Sequence, residues 1–90
     1  MRAAIWKYQL AVDDVQHFSA PRNAKPLSVQ MQRGVPTLWM HVDPNEPLEI
    51  ATVSTYGTGH QMPPNPGEYV GTYQTLDGSL VFHVFYGEPA

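Results

Sequence analysis

Ninety residues with 42% hydrophobic and 11% aromatic content fit one small folded domain, 1–90, and exclude a disordered chain. The absence of cysteine excludes a disulfide scaffold, a thiol nucleophile and any Cys-based zinc site. A net charge of −3 argues against broad nucleic-acid coating, which needs dense Lys and Arg. The total conceals an asymmetry: all five bases, Arg2, Lys7, Arg22, Lys25 and Arg33, precede Gly34, and six of the eight acids follow it. Two or three of those bases could still hold a small anion.

The first stretch, Arg2 to Leu10, alternates Ala4, Trp6, Tyr8 and Leu10 against Ala3, Lys7 and Gln9, the pattern of a half-buried strand, with Ile5 interrupting the polar side. It lacks the apolar core of a signal peptide, and no run of about 18 apolar residues occurs anywhere, so a soluble, unprocessed chain is expected. Asp13-Asp14 reads as a turn and Val15 to Ala20 as a strand ending at Pro21. A helix over Val12 to Phe18 competes, but it would be short and without an apolar stripe. Pro21 to Pro26 is a loop by its prolines and Asn23, and it is the only concentrated basic segment.

Leu27 to Gln32 and Thr37 to Asp43 flank Arg33-Gly34. As a two-residue turn this pair sets Val29 against Leu38 and Leu27 against Met40, with Ser28, Gln30 and Gln32 meeting Trp39 and His41 on the other face. Pro36 then needs a non-bonded or edge position. Asp43 to Pro47 is a turn-rich link, Glu49 to Tyr56 a strand, and Gln61 to Gly67 a proline-dense loop. Asp77-Gly78 between aromatic and β-branched runs signals a terminal hairpin, both turn positions favouring φ > 0. Its register sets Leu76 opposite Ser79, Gln74 opposite Val81, Tyr73 opposite Phe82, Thr72 opposite His83 and Tyr69 opposite Tyr86. Tyr69, Gly71, Tyr73, Leu80, Phe82, Val84 and Tyr86 form the expected core face. The opposite face, with Val81 and Phe85, is apolar enough to expect cover from another segment or subunit, hence a homo-oligomer. The whole is expected to be all-β: a small antiparallel sandwich, roll or partly open barrel of about seven short strands.

Gly57-Thr58-Gly59 after a strand could present backbone N–H groups to a phosphate, although it is neither a Walker loop nor a dinucleotide fingerprint. The competing reading is a strand-end turn. The four histidines, His17, His41, His60 and His83, lack metal-ligand spacing, so no metal and no cofactor is expected. Trp39, on one face with His41, offers a stacking surface. Ser54, Ser79, Glu46, Glu49 and Glu68 form no recognisable catalytic arrangement, and nothing specifies a substrate for His60 or His83 as a base, so an enzyme is not expected.

Several segments in order, Ile5-Trp-Lys-Tyr-x-Leu10, Pro21-x-x-Ala24-x-x-Leu27-Ser-Val-Gln-x-Gln32, Leu38-Trp39 with Val42-Asp-Pro44, Gly57-Thr-Gly-His60, and Tyr69-Val-Gly-Thr72 leading to Gly78-Ser-Leu-Val-Phe-His-Val-Phe85, resemble a family of small uncharacterised proteins encoded by tailed phages and prophages. Phe82 stands where relatives often have Trp, and Ser54 to Tyr56 is less basic than in many of them. The resemblance implies an accessory role in the cytoplasm of a bacterial host. It leads to the expectation of a counter-defence protein that sequesters a phosphorylated, cyclic or linear, nucleotide signal, in a pocket between subunits. Arg22, Lys25 and Arg33 would contact phosphates, Gly57, Thr58, Gly59 and His60 would supply further donors, and Trp39 or Tyr56 would stack on a base. The alternatives are an inhibitor or adaptor that docks on a host defence protein by a surface patch or sheet edge, and a minor virion component.

Overall fold

The computed structural model describes residues 2–75 and 77–90. Its seven strands are β1 (Ala4–Gln9), β2 (Val15–Pro21), β3 (Lys25–Gln32), β4 (Val35–Val42), β5 (Leu48–Gly57), β6 (Glu68–Gln74) and β7 (Val81–Tyr86), with no helix among the described residues. They form two antiparallel sheets, ordered β1-β4-β3 and β2-β5-β7-β6. The open sandwich is therefore the member of the expected set that the chain adopts, and no barrel closes. The competing helix over Val12 to Phe18 is absent, because Val15 to Pro21 pairs residue by residue with Ser54 to Leu48.

Alternation along each strand explains the core. Leu10, Val29, Leu38, Met40 and Val42 from the three-stranded sheet face Val53, Tyr73 and Val84 from the four-stranded one. Tyr8 and Phe18, 4.5 Å apart between ring centroids, join the β1 and β2 edges of the two sheets. At the opposite side Gly71 of β6 runs close to Val29 of β3: a Cβ at Gly71 would stand 2.9 Å from Val29 Cγ1.

The β3–β4 hairpin turns at Arg33 and Gly34, whose φ of 51° and 80° suit a two-residue primed turn. Gln32 then faces Val35 and Val29 faces Leu38, as the sequence predicts. Pro36 sits beyond the end of the β1 ladder, where its carbonyl accepts from Leu10 N at 2.8 Å and its missing N–H costs no strand pairing. The expected Leu27 to Met40 pair does not form. A bulge between Pro26 and Ser28 inserts Leu27, so Pro26 takes the place opposite Met40 and Leu27 turns outward.

A second bulge, between Tyr69 and Gly71, corrects the terminal hairpin in the same way. Thr72, Tyr73 and Gln74 face His83, Phe82 and Val81 as expected, but Tyr69 faces Phe85 and Glu68 faces Tyr86. The extra residue exchanges the faces of its neighbours: Val70 packs on the core, while Tyr69 is 56% exposed and meets Phe85 edge-on at 5.5 Å. Leu80, expected in the core, lies before β7 and is 55% exposed. Leu76, expected opposite Ser79, lies outside the described residues.

Candidate functional site

Sheet membership sorts the charges. Lys7 and Lys25 are the only charged residues within β1, β3 and β4, and Glu49 and Glu68 the only ones within the other four strands. The asymmetry seen along the chain thus becomes a difference between the two sheets.

On the outer face of the three-stranded sheet, Trp39 of β4 lies between Lys7 of β1 and Ser28 of β3, and His41 lies between Ile5 and Lys25. The half-buried Trp39 ring carries Lys7 Nζ 5.8 Å from its centroid, within cation–π range, and the ammonium donates to Gln32 Oε1 at 2.9 Å. At the His41 end of this face, Arg2, Arg22, Lys25 and His41 line a cleft of about 220 Å³, with Asp43 and Glu46 also in its wall. The loop that presents Arg22 is fixed on both sides. Ala24 N donates to Pro21 O across a turn with Asn23 at φ 65°, and Arg22 N donates to Pro47 O at 2.8 Å. Arg22 Nε donates to Glu49 Oε1 at 3.0 Å with both side chains 54% exposed, so the pair adds little stability and engages one guanidinium nitrogen only. Arg2 and His41 are the members of its basic side that the sequence did not nominate as binding residues, and Asn23, Asp43 and Glu46 were not nominated either. The one signal for Arg2 was its place among the five bases of the N-terminal third.

The remaining nominated residues lie elsewhere. Arg33 sits in the β3–β4 turn, about 25 Å along the strand from Lys25, beside Lys7 and Gln32. Gly57 is the last residue of β5 and Thr58 to His60 follow it, whereas Arg22 adjoins the N-terminal end of β5 through the Pro21 to Leu48 pair, about 30 Å away. The basic loop and the glycine segment therefore do not converge within one chain. Nor is Gly57 to Gly59 an open nest: Thr58 N donates to Val81 O and His60 N to Gly57 O, which makes the segment a turn. Tyr56 belongs to the outer face of the four-stranded sheet, where it packs edge-on to Phe85 at 5.8 Å.

Two imidazoles on that same outer face are engaged by hydroxyls. His83 Nε2 lies 2.7 Å from Thr58 Oγ1 and its Nδ1 lies 2.9 Å from Thr72 Oγ1, which in turn meets Tyr69 OH. His17 Nδ1 lies 3.1 Å from Thr52 Oγ1, and that hydroxyl donates to Glu88 Oε1 at 2.8 Å, so the Nδ1 is the donor to Thr52. Neither chain has the order nucleophile, base, orienting carboxylate. In the first no carboxylate stands behind the imidazole. In the second the hydroxyl proton is directed to the carboxylate.

The family comparison covers the whole chain. A model described as "Domain of unknown function (DUF7352)" matches residues 1–90, and the chain belongs to that family. No curated protein and no solved structure matches it.

Proposed function

We propose that this domain is a non-catalytic binding protein that captures a phosphorylated nucleotide on the outer face of its three-stranded sheet. One observation carries the reading: Arg2, Arg22, Lys25 and His41 share one cleft two residues along β4 from Trp39. The base stacks on Trp39 in place of the Lys7 ammonium, and the phosphates take Lys25, Arg2 and the unengaged nitrogens of Arg22. Asp43 limits the site to ligands whose charge is concentrated on the basic side. Its carboxylate already accepts from Asn45 N at 2.9 Å, so it is partly satisfied without a ligand.

The phage-like sequence pattern gives this chemistry a setting. The ligand is then a cyclic or linear signal nucleotide of a host defence system, and the protein acts in the host cytoplasm. The expected pocket between subunits is a stronger form of the reading. An oligomer that set the Gly57 to His60 end of one copy beside the Arg22 end of another would add Tyr56, Thr58 and His60 to the site.

Calorimetry against cyclic and linear nucleotides, with the matching nucleosides as controls, tests the proposal. Binding of nucleotides and not nucleosides is expected, and Arg22→Ala with Lys25→Ala should weaken it at least tenfold while circular dichroism stays unchanged. Silence across the panel at millimolar ligand, or full affinity in the double variant, would overturn it.

A second reading has its own observation. Tyr56, Phe85 and Tyr69 form an aromatic cluster on the outer face of the four-stranded sheet, with Ile50 73% exposed on the same face and Glu88 held to it by Thr52 Oγ1. An aromatic centre with an acid at its margin suits a protein partner with a basic surface. Retention of a host protein by the native chain and not by Tyr69→Ala, with no nucleotide binding, would favour this inhibitor or adaptor role.

A further inference from the structure

Leu10 N donates to Pro36 O at 2.8 Å, and that bond fixes which backbone groups of β1 face β4. Leu10 and Pro36 continue the β1–β4 register, so they occupy a hydrogen-bonded position of an antiparallel ladder in which such positions alternate. The bonded residues of β1 are therefore Ala4, Trp6 and Tyr8. Ile5, Lys7 and Gln9 direct their N–H and C=O groups away from the sheet, and among the described residues nothing bonds to them. The other three edges are interrupted. β3 carries Pro26 and a bulge, β6 carries a bulge, and the two run beside each other where Gly71 meets Val29. β2 ends at Pro21, with polar His17 and Ser19 among its outward residues. β1 has neither bulge nor proline, and Ile5 is 63% and Trp6 37% exposed. Its one charge, Lys7, is drawn back across its own sheet, over Trp39 and onto Gln32 Oε1, and does not guard the edge. An apolar strand edge left in that state is a template for another strand.

We infer that β1 pairs antiparallel with β1 of a second copy of this chain, which joins the two three-stranded sheets into one. The occupant is a second copy because the strand complements itself in one register. Bonds form only where outward residues meet outward residues, and a pair centred on Trp6 does this while matching Ala4 to Tyr8 of each copy. A centre on Lys7 opposes like charges, and other centres match less of the strand. Centred on Trp6, the pair sets Ile5 on the aliphatic stem of the partner's Lys7 and Trp6 against the partner's Trp6. Both exposed apolar residues of the edge are then covered. This interface is independent of the nucleotide reading.

The chain has no cysteine, so a single introduced thiol reports the register. In the inferred pair the two Trp6 Cα atoms stand about 4.5 Å apart, within disulfide reach, and the two Ile5 Cα atoms about 8 Å apart, beyond it. Under mild oxidation Trp6→Cys should cross-link to a dimer and Ile5→Cys should not. Sedimentation equilibrium of the native chain should show monomer and dimer in exchange. Lys7→Pro removes one outward N–H without touching the β1–β4 ladder, and should weaken the dimer at least tenfold while circular dichroism stays unchanged. Lys7→Ala keeps that N–H and should stay within about twofold of the native chain. Ser19→Pro makes the same change on β2 and should leave the dimer intact. A monomer at millimolar chain concentration, cross-linking of Ile5→Cys in preference to Trp6→Cys, or a dimer that Lys7→Pro leaves at full strength would each overturn the pairing.

Discussion

Asp77 illustrates how a residue can be placed correctly from sequence for only part of its reason. The Asp-Gly pair announces a hairpin through its tolerance of positive φ, and Gly78 does adopt φ 72°. Asp77 contributes something else: its Oδ1 accepts from the Ser79 backbone, the Ser79 hydroxyl and the Thr75 hydroxyl, which tie both sides of the turn to one carboxylate. The Ser79 backbone donor is the main cause, and its hydroxyl and that of Thr75 add to it, in lowering the Asp77 pKa to about 2. A carboxyl whose folded pKa is depressed below its ordinary value stabilises the fold above that ordinary value, and the contribution disappears as pH falls through the folded one. The native chain should therefore lose part of its urea resistance between about pH 4 and pH 2, and Asp77→Asn should show a flatter acid limb over that window. Equal slopes for the two chains would show that the turn does not hold the charged form. The side chain is exposed, so solvent screening keeps the contribution small; it is present at neutral pH and is lost along the acid limb.

At the level of strands, alternation proved sufficient for register near each turn and insufficient beyond the first irregularity. Val29 opposite Leu38 and Thr72 opposite His83 follow from counting outward from Arg33-Gly34 and Asp77-Gly78. Leu27 and Tyr69 do not, because each hairpin gains an extra residue farther out. Pro26 and Gly71 are residues that strands take up at bulges, so each segment carried a weak local signal that counting outward from the turn passes over. Both bulges also lie beside the approach of β3 to β6, where Gly71 comes against Val29. Gly71→Ala would place a methyl 2.9 Å from Val29 Cγ1, and a β-branched side chain has little freedom to yield. A loss of about 1–3 kcal/mol is expected from this overpacking. In combination with Val29→Ala, the second substitution should cost less than it does alone, a coupling visible in a double-mutant cycle by urea denaturation. Strict additivity would mean that the two strands can separate at no cost.

For the molecule as a whole, the sequence showed the faces of the side chains near each turn and the two hairpin pairings, but not how the remaining strands pair, and the site suffered most from that. Trp39, His41 and Lys25 were brought together because they belong to one hairpin. Arg22 and Gly57 were separated because β2 pairs with β5 from end to end, a non-local choice among many compatible ones. The same distinction between local and non-local pairing predicts how the chain folds. Only β3–β4 and β6–β7 pair strands adjacent in sequence, while β1–β4, β2–β5 and β5–β7 each close a long loop whose entropy is lost before contacts repay it. The β3–β4 hairpin supplies Val29, Leu38 and Met40 to the core and has the shorter turn, so it should be structured in the transition state. Gly34→Ala forces a methyl into φ 80°, at a cost of about 1 kcal/mol. If that turn is already formed at the barrier, folding slows about fivefold and unfolding hardly changes. Val84→Ala removes a fully buried side chain from β7, which joins through the non-local β5 pair, and should act chiefly by accelerating unfolding. Stopped-flow chevrons of the two variants decide the order. A slowed folding arm in Val84→Ala together with an unaffected one in Gly34→Ala would place the nucleus in the four-stranded sheet instead.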